Sequence, residues 1–298
     1  MNSAADVSTQ LPLFGIRVVS MALNLPGPAC ARRLADFGAS VVKVEPPESF
    51  GGDPMRAYAP SYYEALHRGL EVRALNLKNA ADRATFDALL ANADVFLTAQ
   101  RAAALSRLQL AGDALSMRFS RLCHIAIVGE ENSDDAGHDL TYLADAGLAT
   151  PPRMPPTLLA DLAGAERAVT ATFAALRLTQ LTGRGQHMVV SLGGAARAFS
   201  EPMKHGLTST GGLLAGAHPG YNFYRASDGW VALAALEPHF VERVKLASGL
   251  PFTIDALRQF FAPKNVSEWK AWAGAHDIPL SVIVDLLSSP PPISPLPN

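Results

Sequence analysis

The sequence predicts an α/β protein, and three observations carry that prediction. Short β-type runs alternate with helical stretches through the first half of the chain. A long apolar helix follows a proline-dense connector, and a hairpin signal comes after it. Strands separated by helices imply parallel βαβ units with right-handed crossovers, and the later hairpin implies a smaller α+β domain. The domains are placed at residues 11–200 and 201–298 of the 298-residue chain.

The elements follow in order. Ile16 to Ala22 reads as a buried strand, and Ala29 to Phe37 as a helix stopped by Gly38. Ser40 to Val44, Val72 to Leu77 and Asp94 to Thr98 are three further strands, the last two separated by a helix over Ala81 to Asn92. Leu122 to Val128 is a fifth strand. The stretch Gly129 to Gly137 (GEENSDDAG) is polar and turn-rich, which marks a surface loop. Leu140 to Leu148 is a short helix, and Pro151 to Pro156 the connector. The long helix spans Leu162 to Leu181 and ends at Thr182-Gly183-Arg184-Gly185. Tyr221 to Ala226, the turn Ser227-Asp228-Gly229 and Trp230 to Leu236 form the hairpin. Helical segments follow, and the tail SSPPPISPLPN is excluded from regular structure because proline fixes φ and removes donors.

Composition removes several function classes. Charged residues make up 17 % of the chain, below the usual share of about 25 %, and the formal net charge of -2 gives no electrostatic reason to expect nucleic acid or an anionic membrane as partner. The opening MNSAADVSTQ lacks the basic start and apolar stretch of a signal peptide. Cys30 and Cys123 lie far apart, which fits a reducing compartment better than a disulfide framework. A cytoplasmic protein is expected.

Standard motifs are excluded as well. Asn24-Leu25-Pro26-Gly27-Pro28 stands where a dinucleotide fingerprint would, yet it has one glycine and two prolines without N–H groups. No Walker lysine loop, G-x-S-x-G elbow or H-E-x-x-H pair occurs, and the histidines show no metal-ligand spacing.

Two acid–base candidates remain, each at a predicted helix start. His138 lies in Gly137-His138-Asp139-Leu140, before a helix that Asp139 is suited to cap, and Asp161 lies in Leu159-Ala160-Asp161-Leu162-Ala163-Gly164. Read alone, Asp161 is better explained as a helix cap than as a catalytic group. A third carboxylate, Glu237, follows an apolar strand and precedes Pro238, and alone it reads as an ordinary strand end.

Ordered segments along the chain change that weighting. Leu13-Phe14-Gly15-Ile16-Arg17-Val18-Val19, then LADFGASVVKVEPP from Leu34 to Pro47, then Gly52-Asp53-Pro54 with Arg56 come first. Ala74-Leu75-Asn76-Leu77-Lys78, Ala93-Asp94-Val95 and Thr182-Gly183-Arg184-Gly185-Gln186 follow. In this order they resemble the class III CoA-transferase (CaiB/BaiF) family, over roughly residues 11 to 250. Within it, the Pro-Gly-Pro loop, Gly137-His138-Asp139 with Tyr142, and Ala235-Leu236-Glu237-Pro238-His239-Phe240 resemble the alpha-methylacyl-CoA racemase branch. The chain departs from the family at Pro46, where an arginine is common, in its shorter 129–137 loop, and in an early C-terminus.

The resemblance implies a Rossmann-like CoA-binding domain, a smaller second domain and an interlocked homodimer. It implies no permanently bound cofactor, with coenzyme A entering as part of the thioester substrate. Racemisation at a 2-methyl-branched acyl group needs a base on one face of the alpha carbon and an acid on the other. By resemblance His138 serves the (S) substrate, Asp161 the (R) substrate, and Glu237 orients the imidazole. Asn24, Leu75, Lys78, Arg101, Gly137 and Asp139 are the implied contacts to the CoA ester; Lys78 and Arg101 suit its phosphates. Two other readings stay open: CoA transfer with Asp161 as nucleophile, and a non-catalytic CoA-ester-binding partner subunit, motivated by the departures.

Overall fold

The computed structural model describes residues 11–133 and 135–283. They divide into two compact units, at 11–199 and 200–283. In chain order the first unit contains β1 (Arg17–Ser20), α1 (Pro26–Asp36), β2 (Ser40–Glu45), α2 (Met55–Tyr58), α3 (Pro60–His67), β3 (Glu71–Ala74) and α4 (Ala80–Ala91). It continues with β4 (Val95–Thr98), α5 (Ala102–Arg107), α6 (Gly112–Arg118), β5 (Cys123–Val128), α7 (Asp139–Asp145), α8 (Leu159–Thr182), β6 (His187–Ser191) and α9 (Leu192–Phe199).

All six strands are parallel, in the order β3-β2-β1-β4-β5-β6. Val18 pairs with Val41 on one side and Val95 on the other, so β1 sits centrally. Successive side chains alternate between two cores. Val18, Val95 and Leu97 join the core that includes α1 and α8, whereas Val19 and Phe96 join Phe86, Leu90 and Leu105 on the opposite face. Burial on both faces explains the β-branched runs that make these strands legible. The chain leaves β1 for one side of the sheet and β4 for the other. The turns after these two strands therefore flank the crevice where doubly wound sheets bind ligands. Asn24 follows β1 and Arg101 follows β4.

Two expectations are corrected. Helix α1 begins at Pro26, not Ala29: a proline in the first turn loses no intrahelical bond, since that N–H has no partner in any helix. A Cβ at Gly27 would run into Ala22, so glycine permits the helix to sit close against the end of β1. Strand β6 was not anticipated; only Met188-Val189-Val190 are apolar in it, and its pairing with β5 rather than its composition makes it a strand.

The second unit contains α10 (Glu201–Lys204), β7 (Tyr221–Arg225), β8 (Trp230–Ala234), α11 (Pro238–Ser248), α12 (Ile254–Phe261), α13 (Val266–His276) and β9 (Leu280–Val282). The hairpin pairs Arg225 with Trp230 as expected, and β9 adds a third antiparallel strand. Tyr224, Val231, Leu233, Leu257, Phe261 and Trp269 form its core, where the Trp269 indole N–H donates to the Phe261 carbonyl at 2.8 Å. The proline-rich tail lies outside the described residues. No helix among the described residues is long and apolar enough to cross a membrane.

Candidate active site

The crevice is built on one side from the connection after β1. Asn24 has φ of 60°, in the left-handed region that few non-glycine residues occupy. Its backbone N–H donates to Asp53 Oδ1 at 3.2 Å, and the Met55 N–H donates to the same oxygen at 3.0 Å. Asp53 Oδ2 takes the ammonium of Lys43, whose nitrogen also lies 3.6 Å from Glu45. Lys43, Glu45 and Asp53 are all buried. In a strand whose other members are Ser40 and three valines, two buried charges survive because each is paired. Glu45 in turn accepts from Arg56 at 2.7 Å and from the Tyr63 hydroxyl at 2.9 Å. Burial lowers the Lys43 pKa, and the carboxylates of Asp53 and Glu45 work against that fall.

The other side comes from the starts of α7 and α8. His138, exposed, is the N-cap of α7, and its backbone N–H donates to the Thr141 hydroxyl at 3.0 Å. Asp139 is therefore the first helical residue and not the cap, and it is buried. Its Oδ1 accepts the Asp161 N–H at 3.1 Å, which ties the two helix starts together. Helix α8 begins at Leu159, so Asp161 is its third residue; the capping role read from sequence does not hold. Burial, then the neighbouring Asp139 carboxylate, pushes the Asp161 carboxyl up to about 7. Such a group is about half ionised near neutral pH and is able both to give and to take a proton.

Tyr142, one turn into α7, packs its hydroxyl between the ends of the 129–137 loop. A Cβ at Gly129 or at Gly137 would collide with that hydroxyl, so both loop ends need glycine. Burial first, then Glu130 and Asp161, raise the Tyr142 pKa and keep it a neutral donor. Glu130 holds the start of the loop to α9 through two bonds of 2.7 Å from Arg197.

A cleft of about 820 Å³ runs between these parts. His138, Asp161, Asn24, Arg101 and Gly137 all line it, with Tyr142, Gln100 and the His124–His187 pair. Its volume and mixed lining suit a large substrate with polar and apolar parts. Asp139 stands behind the wall. Leu75 and Lys78 are on the β3–α4 connection and are not among the lining residues; the Leu75 N–H donates to the Glu45 backbone carbonyl at 2.9 Å and Lys78 is exposed. Glu237 belongs to the second unit, where it is the exposed N-cap of α11. No cluster able to hold a metal occurs among the described residues.

Asp53 and Tyr58 are neighbours of Asn24 to which sequence reasoning gave no role at the site. Tyr58 donates to Asn24 Oδ1 at 3.4 Å. Asp53 reaches Asn24 across 29 residues of chain, a contact with no local signal beyond the Gly52-Asp53-Pro54 motif.

Residues 13–288 match the model of CoA-transferase family III. Human alpha-methylacyl-CoA racemase is 33% identical over 299 residues, covering 87% of this chain and 74% of the racemase. The succinate–glutarate CoA-transferase of Agrobacterium fabrum is 29% identical over 253 residues, covering 75% of this chain and 63% of that enzyme. A crystal structure from Mycobacterium tuberculosis superposes with a TM-score of 0.79 at 22% identity, covering 94% of this chain and 86% of that one. A CaiB/BaiF family protein from Brucella suis superposes at 0.76 with 23% identity, covering 94% and 87%. These two structural likenesses concern the fold alone.

Proposed function

This chain belongs to CoA-transferase family III, and from that premise we propose that it is a racemase or epimerase of 2-methyl-branched acyl-CoA thioesters. The observation that carries the reading is the placement of His138 and Asp161 on two helix starts of one cleft, with the Asp161 carboxyl near 7. One residue removes the proton alpha to the thioester carbonyl, an enolate forms, and the other returns a proton from the opposite face. His138 serves the (S) substrate and Asp161 the (R) substrate. The CoA part extends along the Asn24 and Arg101 side, where a guanidinium at the rim suits phosphate oxygens. The 33% likeness to the human racemase supports this choice of reaction.

The test is deuterium incorporation at the alpha carbon of a 2-methylacyl-CoA in D2O, for the wild type, His138→Ala and Asp161→Ala. Incorporation by the wild type with loss of racemisation in both variants is the expected result; no incorporation by the wild type overturns the reading. The orienting role given to Glu237 is tested with Glu237→Gln, which should slow turnover of the (S) substrate and spare that of the (R) substrate. The interlocked homodimer belongs to the same proposal, and sedimentation at twice the chain mass is its expected outcome.

CoA transfer is the second reading, favoured by the likeness to succinate–glutarate CoA-transferase. There the ionised Asp161 attacks the thioester carbonyl and expels CoA thiolate, leaving an acyl anhydride on the enzyme. A covalent adduct on Asp161, seen by mass spectrometry, would favour it over proton transfer.

A further inference from the structure

Asn24 carries two features that a simple turn does not require. Its backbone holds φ of 60°, although asparagine gains no relief there from a missing Cβ. Asparagine takes this conformation more readily than other non-glycine residues, and here the surrounding structure holds it there. The surrounding structure is Asp53: buried, neutralised by Lys43, and accepting the Asn24 N–H at 3.2 Å together with the Met55 N–H at 3.0 Å. The side chain is fixed as well, because the Tyr58 hydroxyl donates to Asn24 Oδ1 at 3.4 Å. Burial, then Asp53 and Asp161, raise the Tyr58 pKa, so the hydroxyl stays a donor. The amide N–H2 of Asn24 has no hydrogen-bond partner among the described residues, so it is a donor left for a ligand in the cleft that Asn24 lines.

We infer that Asp53 and Tyr58 are positioning residues, which set Asn24 so that its amide N–H2 donates to a carbonyl oxygen of the bound acyl-CoA. The inference rests on the CoA-ester reading above and adds to it a chain of command: Lys43 holds Asp53, Asp53 holds the Asn24 backbone, and Tyr58 holds its amide. The ligand group is a carbonyl, of the thioester or of a pantetheine amide, because an N–H2 has only donors to offer.

Calorimetric titration with 2-methylbutanoyl-CoA tests it, on the wild type, Tyr58→Phe, Asn24→Gly and the double variant, each with its thermal midpoint. Asn24→Gly should weaken binding roughly tenfold, the loss of one good hydrogen bond. Its midpoint should be unchanged or higher, since glycine takes the left-handed conformation without strain. Tyr58→Phe should weaken binding about threefold in the wild type and not at all in the Asn24→Gly background. A purely structural Tyr58 would weaken both backgrounds equally, and that result overturns the inference. Equal affinity for all four proteins overturns it too and leaves the CoA-ester reading standing. Absence of binding to the wild type overturns the CoA-ester reading itself, and the inference with it. Asp53→Asn adds a backbone arm: weaker binding that disappears in the Asn24→Gly background supports the inference, and a loss that persists there counts against it.

Discussion

Two aspartates of the same unit, Asp53 fully buried and Asp161 half-buried on the cleft wall, have been given opposite surroundings. Asp53 sits among a lysine ammonium and two backbone N–H donors, so its charge is compensated on every side the structure describes. Asp161 has no ion pair among the described residues, and its nearest charged neighbour is another carboxylate, Asp139. Burial alone therefore does not make a group reactive. What matters is whether the fold supplies the partners that a buried charge needs. Where it does, the carboxylate becomes a fixed part of the frame; where it withholds them, the carboxyl is driven up to about 7 and into the range useful for proton transfer.

The largest expected effects fall on the uncompensated side. His138→Ala and Asp161→Asn should each lower the racemisation rate by roughly 10²–10⁴-fold, the usual worth of a general acid–base, as followed by optical rotation or by chiral separation of the hydrolysed acid. On the compensated side the damage is to stability. Lys43→Ala leaves Asp53 buried without its cation, and Glu45 with Arg56 alone, and should cost about 3–5 kcal/mol in urea unfolding. If Lys43→Ala were as stable as the wild type, the pairing beneath Asn24 would not be holding the frame.

Legibility in the sequence follows the same division. The strands around Val18, Val41, Val95 and Ile125 were readable because burial on both faces demands unbroken β-branched runs. His138 and Asp161 were readable through their motifs and resemblance, and the structure brings both to one cleft. The capping roles of Asp139 and Asp161 were misread, because both helices begin earlier than their apolar patterns suggest. Lys43 and Glu45 were not singled out from the sequence, because only the fold brings Asp53 and Arg56 to them. Strand β6 and the Tyr58–Asn24 contact depend on pairings between distant segments, which leave no periodic trace.

A stability experiment sharpens the comparison. Because the folded Asp161 carboxyl is raised from 3.8 to about 7, the folded protein binds more protons than the unfolded chain between these values, and stability falls as pH rises through that window. Asp161→Asn removes the penalty. The variant should be more stable than the wild type by on the order of 2 kcal/mol at pH 8, and by nothing near pH 4. An equal difference at both pH values would mean that the carboxyl is not raised.

An effect of similar size concerns the loop over the cleft. Gly137→Ala places a methyl against the Tyr142 hydroxyl and should cost about 1–3 kcal/mol if the tyrosine cannot yield. Phe at position 142, made as Tyr142→Phe, removes part of that clash and should recover some of the loss in the double variant, read by thermal unfolding.

The central claim is that two bases serve opposite faces of one alpha carbon, and exchange measured separately for each enantiomer in D2O tests it most directly. The account predicts that Asp161→Asn loses alpha-proton exchange from the (R) ester and keeps it from the (S) ester, and that His138→Ala does the reverse. In the wild type, exchange from the (R) ester should rise with pH to a plateau above about 7, as Asp161 ionises. Loss of exchange from both enantiomers in both variants, or retention of both in either, would contradict it.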